Sequence, residues 1–202
     1  MKYVRFINTV YLAGTVSLAG CAAVSTVGSV ANIALEATGL KKPDAPEIPD
    51  AQQAPRNIAI RLHASENLNV DANGRPLALV TRVYKLRQGA AFQQIPFDVF
   101  LNPQKEKELL GNDLLEVKEV MLVPGQRYEI VEKVTKEAYF IGVVALFRSP
   151  AQQRWRATFV AKEAEVSGIT IGLHACALSV GIGSAMLDKE NPGKLLGPVR
   201  CQ

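Results

Sequence analysis

Residues 57–63 read NIAIRLH: Asn57, Ile58, Ala59, Ile60, Arg61, Leu62 and His63. A large apolar side chain at every second position puts Ile58, Ile60 and Leu62 on one side of an extended chain, with Arg61 and His63 on the other. That is the pattern of a half-buried strand. The segment decides the fold because the chain before it lacks this period, while most of the chain after it repeats it. Leu77 to Leu86 is a second strand, apolar on both faces except near Thr81, Arg82 and Lys85. Between the two, Ser65 to Pro76 is a polar loop in which Asn73-Gly74 marks a turn. Gly89 interrupts, and Phe97 to Leu101 is expected as a third short strand.

Further along, Asn102-Pro103 places a capping side chain before a proline at the first helical position, and Gly111 follows Leu109 and Leu110. These residues bound a small inserted helix. Val117–Val123 and Gln126–Val134 flank Pro124-Gly125 and are expected to pair as a hairpin, with Val120 and Leu122 facing Tyr128 and Ile130. Ala138 to Phe147 is too continuously apolar for an exposed edge. Trp155 to Ala161 follows Ser149-Pro150, with Trp155, Ala157 and Phe159 on one face. From Gly168 to Gly183, Ile169, Ile171 and Leu173 keep one parity and Leu178, Val180 and Ile182 the other. The switch near Ala175–Ala177 implies either a bulge or two joined strands. Seven or eight short strands with turns between them predict a mainly β chain, a two-sheet β-sandwich over residues 57–202.

Upstream, the character changes. Lys2 and Arg5 precede the uncharged, mostly apolar Phe6–Ser17, and Leu18-Ala19-Gly20-Cys21 ends the run with small residues before a cysteine. That order describes a secretory signal peptide over residues 1–20. A cysteine at the cut resembles the bacterial lipobox, which implies acylation of Cys21 and lipid anchorage of the chain there. No charge occurs between Arg5 and Glu36, but Asn, Thr, Ser and Gly dilute that stretch below the density of a spanning helix. Ala22 and Ala23 follow Cys21 without an aspartate, which by analogy with sorting rules points to the outer membrane. Residues 22–40 read as an N-terminal helix within a lipidated segment 21–42. Pro43, Pro46, Pro49 and Pro55 make 43–56 an extended linker of about 3.1 Å per residue.

The whole chain carries 23 basic and 19 acidic residues. With no block of like charge, a nucleic-acid footprint is not indicated. With Cys21 assigned to lipid, Cys176 and Cys201 remain as a disulfide pair in an oxidising compartment. A catalytic or metal site needs converging groups, and the two histidines, His63 and His174, offer few. Lys105-Glu106-Lys107-Glu108 reads as a solvated helix face, and Arg154-Trp155-Arg156 as a core tryptophan between two outward arginines.

At the second strand the chain resembles a known family. Asn73-Gly74-Arg75-Pro76, then Leu79-Val80-Thr81-Arg82-Val83-Tyr84-Lys85-Leu86, then Gly89 and Phe92, are similar to the TssJ (SciN-like) outer-membrane lipoproteins of the type VI secretion system. Leu122-Val123-Pro124-Gly125, the run Ile141 to Arg148, and Trp155-Arg156 match as well, so the resemblance covers most of Asn57 to Ala161. It implies a transthyretin-like sandwich and a non-enzymatic adaptor that binds the periplasmic C-terminal domain of the inner-membrane protein TssM. The loop between the first two strands is the implied contact. Here it comprises Ser65, Glu66, Asn67, Leu68, Asn69, Val70, Asp71, Ala72, Asn73, Gly74 and Arg75. No cofactor, metal, nucleic acid or small-molecule substrate is expected. A second reading is an envelope binding module, or an inhibitor of a periplasmic hydrolase, built on the same sandwich.

Overall fold

The computed structural model describes residues 49–183 together with Val199 and Cys201. Cys21, the helix expected over 22–40 and residues 43–48 of the linker lie outside the described residues. Eight strands form two four-stranded sheets. In the first, β1 (Arg56–Ala64) runs antiparallel to β4 (Arg127–Val134) and parallel to β7 (Ile169–Leu173), and β8 (Leu178–Ile182) forms an edge. In the second, the order is β3 (Leu114–Leu122), β2 (Leu79–Leu86), β5 (Phe140–Ala145) and β6 (Arg156–Val160). Of the two alternatives at Ala175–Ala177, the structure has two strands, β7 and β8, joined as an antiparallel pair.

The inner faces follow from alternation. Ile58, Ile60 and Leu62 are wholly buried, as are Ile141, Val143, Ile169 and Ile171. Fully burying each such side chain contributes about 1.5–3 kcal/mol. One flank of this core is closed by charge instead. Glu132 on β4 takes Lys118 Nζ at 2.7 Å and Lys85 Nζ at 3.3 Å, and Lys85 also meets Glu116 at 2.8 Å. Burial pushes the Glu132 carboxyl up, but the hydrogen bonds from Lys118 and Lys85 outweigh it and hold the carboxyl below its ordinary value.

The outer face of the second sheet carries helices. α1 (Ala90–Gln94), a 3-10 turn (Phe97–Leu101) and α2 (Pro103–Leu110) lie over the second sheet. Gly142 on β5 permits this: a Cβ there would come within 2.5 Å of the Phe92 ring. Phe92, Tyr84, Phe100, Trp155 and Phe97 form one aromatic cluster, with centroid separations of 5.1–5.9 Å between contacting rings. α2 is capped as expected, with Asn102 Oδ1 accepting from the Gln104 and Lys105 amides. α3 (Ala161–Ser167) follows β6 and buries Ala161 and Ala164 in the core beside β1 and β6.

Five expectations are corrected. Phe97–Leu101 is a 3-10 turn, not a strand; Val99 N donates to Pro96 O at 3.3 Å and Asn102 N to Val99 O at 2.9 Å, so its backbone bonds close locally rather than onto a neighbouring strand. β3 and β4 belong to different sheets, so they form no hairpin. Gln126 N donates to Val123 O at 3.1 Å with Pro124 and positive-φ Gly125 between, a type II turn. Such a turn splays its flanking strands and here passes the chain across the sandwich. Glu106 is not on a solvated face: it is buried against Arg82 Nη1 at 2.7 Å.

The two arginines beside Trp155 do not point outward either. Arg154 is buried. Arg156 donates to the Phe92, Gln93 and Ile95 carbonyls at the end of α1, with its guanidinium 4.6 Å from the Trp155 ring centroid. Trp155 also precedes β6 and joins the outer aromatic cluster. Phe159, opposite Ile141, faces the core. The alternation assigned from Trp155 to Ala161 holds only from Arg156 onward, where the strand begins.

Candidate functional site

Loop Ser65–Pro76 joins the ends of β1 and β2 at one pole of the sandwich. Its polar composition hides a division of labour. Leu68 is wholly buried in the core, and Asn69 and Asp71 are also buried. Ala72, Asn73, Gly74, Arg75 and Pro76 form an exposed tip.

Asn69 is the strut at the base. It holds a left-handed backbone (φ 46), which asparagine tolerates better than most residues. Its side chain spans two segments: Nδ2 donates to Ala78 O at 2.8 Å, and Oδ1 accepts from the Arg148 amide at 2.8 Å. The loop backbone adds Asn69 N to His174 O at 3.0 Å and Val70 N to Ala175 O at 3.1 Å. On the other side, Gly125 N donates to Ser65 O at 3.2 Å, and Ser65 Oγ meets Asn67 Oδ1 at 2.8 Å. Glu66 lies against Gly125.

Asp71 shapes the tip. Its Oδ1 accepts from the amides of Asn73 (2.8 Å) and Arg75 (2.9 Å), and its Oδ2 takes Arg75 Nε at 2.7 Å and Nη2 at 2.7 Å. The Arg75 amide, followed by the Arg75 side chain and the Asn73 amide, holds the Asp71 carboxyl below its ordinary value against the opposing effect of burial. With Gly74 at φ 76, the result is a closed turn carried by one carboxylate. The signal was present in Asp71-Ala72-Asn73-Gly74-Arg75, an aspartate two and four residues before the amides it binds. Polarity alone concealed it.

The connection between β7 and β8 stands directly behind the loop. Cys176 is bonded to Cys201 there, with a Cα–Cα distance of 5.6 Å. Cys176, Ala177 and Ala151 form a small apolar cluster with Val199 against it. The residues singled out from sequence, Ser65–Arg75 and Cys176 with Cys201, are therefore brought to one pole. Asn67, His174, Ser179 and Cys201 line an open cleft of about 410 Å³ beside them. His174 is exposed on one side, its Nε2 lies 2.9 Å from Ser179 Oγ, and partial burial of the ring, followed by the nearby Arg154 charge, lowers its pKa. His63 sits on β1, opposite Arg127 and Gly172. Among the described residues no group of three or more His, Cys, Asp or Glu could hold a metal. None of their helices is long and apolar enough to cross a membrane.

Residues 56–176, from the start of β1 to the disulfide cysteine, match the family model described as type VI secretion lipoprotein (VasD, EvfM, TssJ). The chain belongs to that family. Solved structures agree with the TssJ-like assignment. The lipoprotein TssJ1 from Pseudomonas aeruginosa is 29% identical with a TM-score of 0.57, over 65% of this chain and 98% of its own. A chain of a type VI membrane complex is 25% identical with a TM-score of 0.58, over 63% and 98% respectively. A chain from a structure described as the TssM C-terminal domain from EAEC is 27% identical with a TM-score of 0.56, over 61% and 99%. No curated protein sequence matches the chain significantly. The TssJ-like sandwich is thus the part of this chain shared with these relatives.

Proposed function

We propose that the chain is a non-enzymatic, outer-membrane lipoprotein adaptor. In this reading acylated Cys21 anchors it, and the Ser65–Arg75 loop binds the periplasmic C-terminal domain of TssM, holding the trans-envelope complex of the secretion system. The observation that carries the reading is the construction of the loop. An exposed tip, Ala72–Pro76, rests on a buried leucine, the Asn69 strut and the Asp71 carboxylate. A loop fixed in the free protein loses little conformational entropy when it binds. Family membership and the structural relative from the TssM C-terminal domain structure support the choice of partner.

The direction of the chain fits the task. β1 starts at Arg56, beside Tyr139, whose hydroxyl meets Asp50, and runs nine residues to the loop. That is roughly 27 Å at about 3.3 Å per residue. A tether attached at Pro49 therefore leaves the loop on the far pole. On the membrane side, about 0.8 kcal/mol per buried methylene makes anchorage by several acyl chains on Cys21 stable, where a single chain would bind only reversibly.

Deleting the whole loop is a poor test, because it would pull Leu68 from the core. The informative variant is Ala72→Arg with Asn73→Arg, confined to the exposed tip. Calorimetry of the full chain in detergent against purified TssM periplasmic domain should show affinity reduced about tenfold or more, with an unchanged melting temperature. Unchanged affinity would refute the loop assignment. An envelope pull-down dominated by a hydrolase rather than TssM would favour the inhibitor reading.

A further inference from the structure

Beside the loop, on the outer face of the second sheet, lies a row of apolar side chains, Val80 and Leu146 half-buried and Met121 and Val123 exposed. Val80 on β2 stands directly opposite Met121 on β3, and Leu146, just after β5, donates its amide to Val80 O at 2.9 Å. Their strand neighbours Leu79, Thr81, Val120 and Leu122 fill the core, so the row faces outward. The helical insert covers this face over Tyr84 and Gly142. Met121 is 66% exposed, and Val123, two residues on, is 52% exposed. A contiguous exposed apolar patch marks a binding surface more often than a scattered single residue does.

The row is framed by the same struts that hold the loop. Val123 opens the Pro124-Gly125 turn, whose Gly125 amide binds Ser65 O. Leu146 leads to Arg148, whose amide binds Asn69 Oδ1. At the row's far side the charges are already matched, Arg82 Nε lying 2.8 Å from Glu119. The loop base and the ends of this row are therefore tied together by hydrogen bonds, polar on the loop side and apolar along the row. Interfaces between proteins combine an apolar centre with a polar rim, and a methionine adapts its shape to a partner.

We infer that Val80, Met121, Val123 and Leu146 are the apolar half of the docking surface. Its occupant is an uncharged, apolar strip of the same TssM periplasmic domain that receives the loop tip. The inference rests on the proposed function for the identity of that partner. The tip positions the partner, and the row supplies the surface removed from water.

The test is Met121→Glu with Val123→Glu in the full chain, measured against purified TssM periplasmic domain beside the tip variant above, with Met121→Leu as the conservative control. Both side chains are exposed, so the melting temperature should stay at its wild-type value. Burying two carboxylates against an apolar strip should reduce affinity about tenfold or more, and Met121→Leu should bind like wild type. If the charged variant binds like wild type while the tip variant loses binding, the row is not an interface and the proposed function stands without it. If both bind like wild type, the proposed function itself fails. If sedimentation shows the wild-type chain self-associating, and the charged variant abolishes this with TssM affinity unchanged, a second copy covers the row and the inference is overturned.

Discussion

Replacing Asn69 with alanine should damage both fold and function, although Asn69 is buried beneath the exposed tip. The variant removes the donor to Ala78 O and the acceptor for the Arg148 amide, each at 2.8 Å and partly buried. A buried group left unsatisfied costs about 1–3 kcal/mol, and partial solvent access places each of these near the lower end. Alanine must also hold the left-handed backbone at φ 46, which costs about 1 kcal/mol more than it does for asparagine. The sum is about 3 kcal/mol. For a domain of this size it lowers the melting temperature by about 6–12 °C. Urea unfolding of the full chain in detergent gives the free energy, and calorimetry with the TssM periplasmic domain gives the affinity. Binding should weaken even at temperatures where the variant is folded, because the tip loses the strut at its base. A destabilisation under about 1 kcal/mol, with wild-type affinity, would refute the view that Asn69 organises the loop.

Gly142→Ala should cost about 1–3 kcal/mol, since the new Cβ meets the buried Phe92 ring. The combination with Phe92→Leu should be markedly less than additive, and additive costs in urea melts would place the helical insert elsewhere. Serine at both Cys176 and Cys201 removes a closure of sequence separation 25, worth about 3.5 kcal/mol in the chain-entropy model, and should lower the melt; an unchanged melt would mean that the bond constrains nothing. Asp71 and Glu132 have carboxyls held below their ordinary values. Their contribution is therefore present above the unfolded carboxylate range of about 4 and is lost as pH falls through the lower folded values. Urea stability should decline steeply on acidification below about pH 4, less so in Glu132→Gln, and an equal slope in the two proteins would count against the Lys118–Glu132–Lys85 network.

Alternation made most strands legible, because a half-buried strand must segregate its side chains whatever it pairs with. Ile58, Ile60 and Leu62 needed nothing else. The helix after Asn102-Pro103 was legible for a similar reason, since its cap and its first turn are local. What alternation could not supply was the identity of strand partners. β3 and β4 look like a hairpin in sequence, and only the twist of the Pro124-Gly125 turn separates them. The five residues Phe97–Leu101 are too few to display a period. In the loop, polar composition does not tell solvated side chains from buried ones, and Asn69 and Asp71 spend their polar groups on backbone within the pole. Gly142 and Phe92 lie far apart in the chain, so the covering of the second sheet was not available before the fold was known.

Site-specific photo-crosslinking in cells tests the central claim most directly. A photoreactive residue at Asn73, on the exposed tip, should crosslink to TssM, and one at Lys162, on α3 against the other sheet, should not. Crosslinks to TssM from Lys162 and none from Asn73 would contradict the account, leaving a lipoprotein of this family whose loop pole does not face its partner.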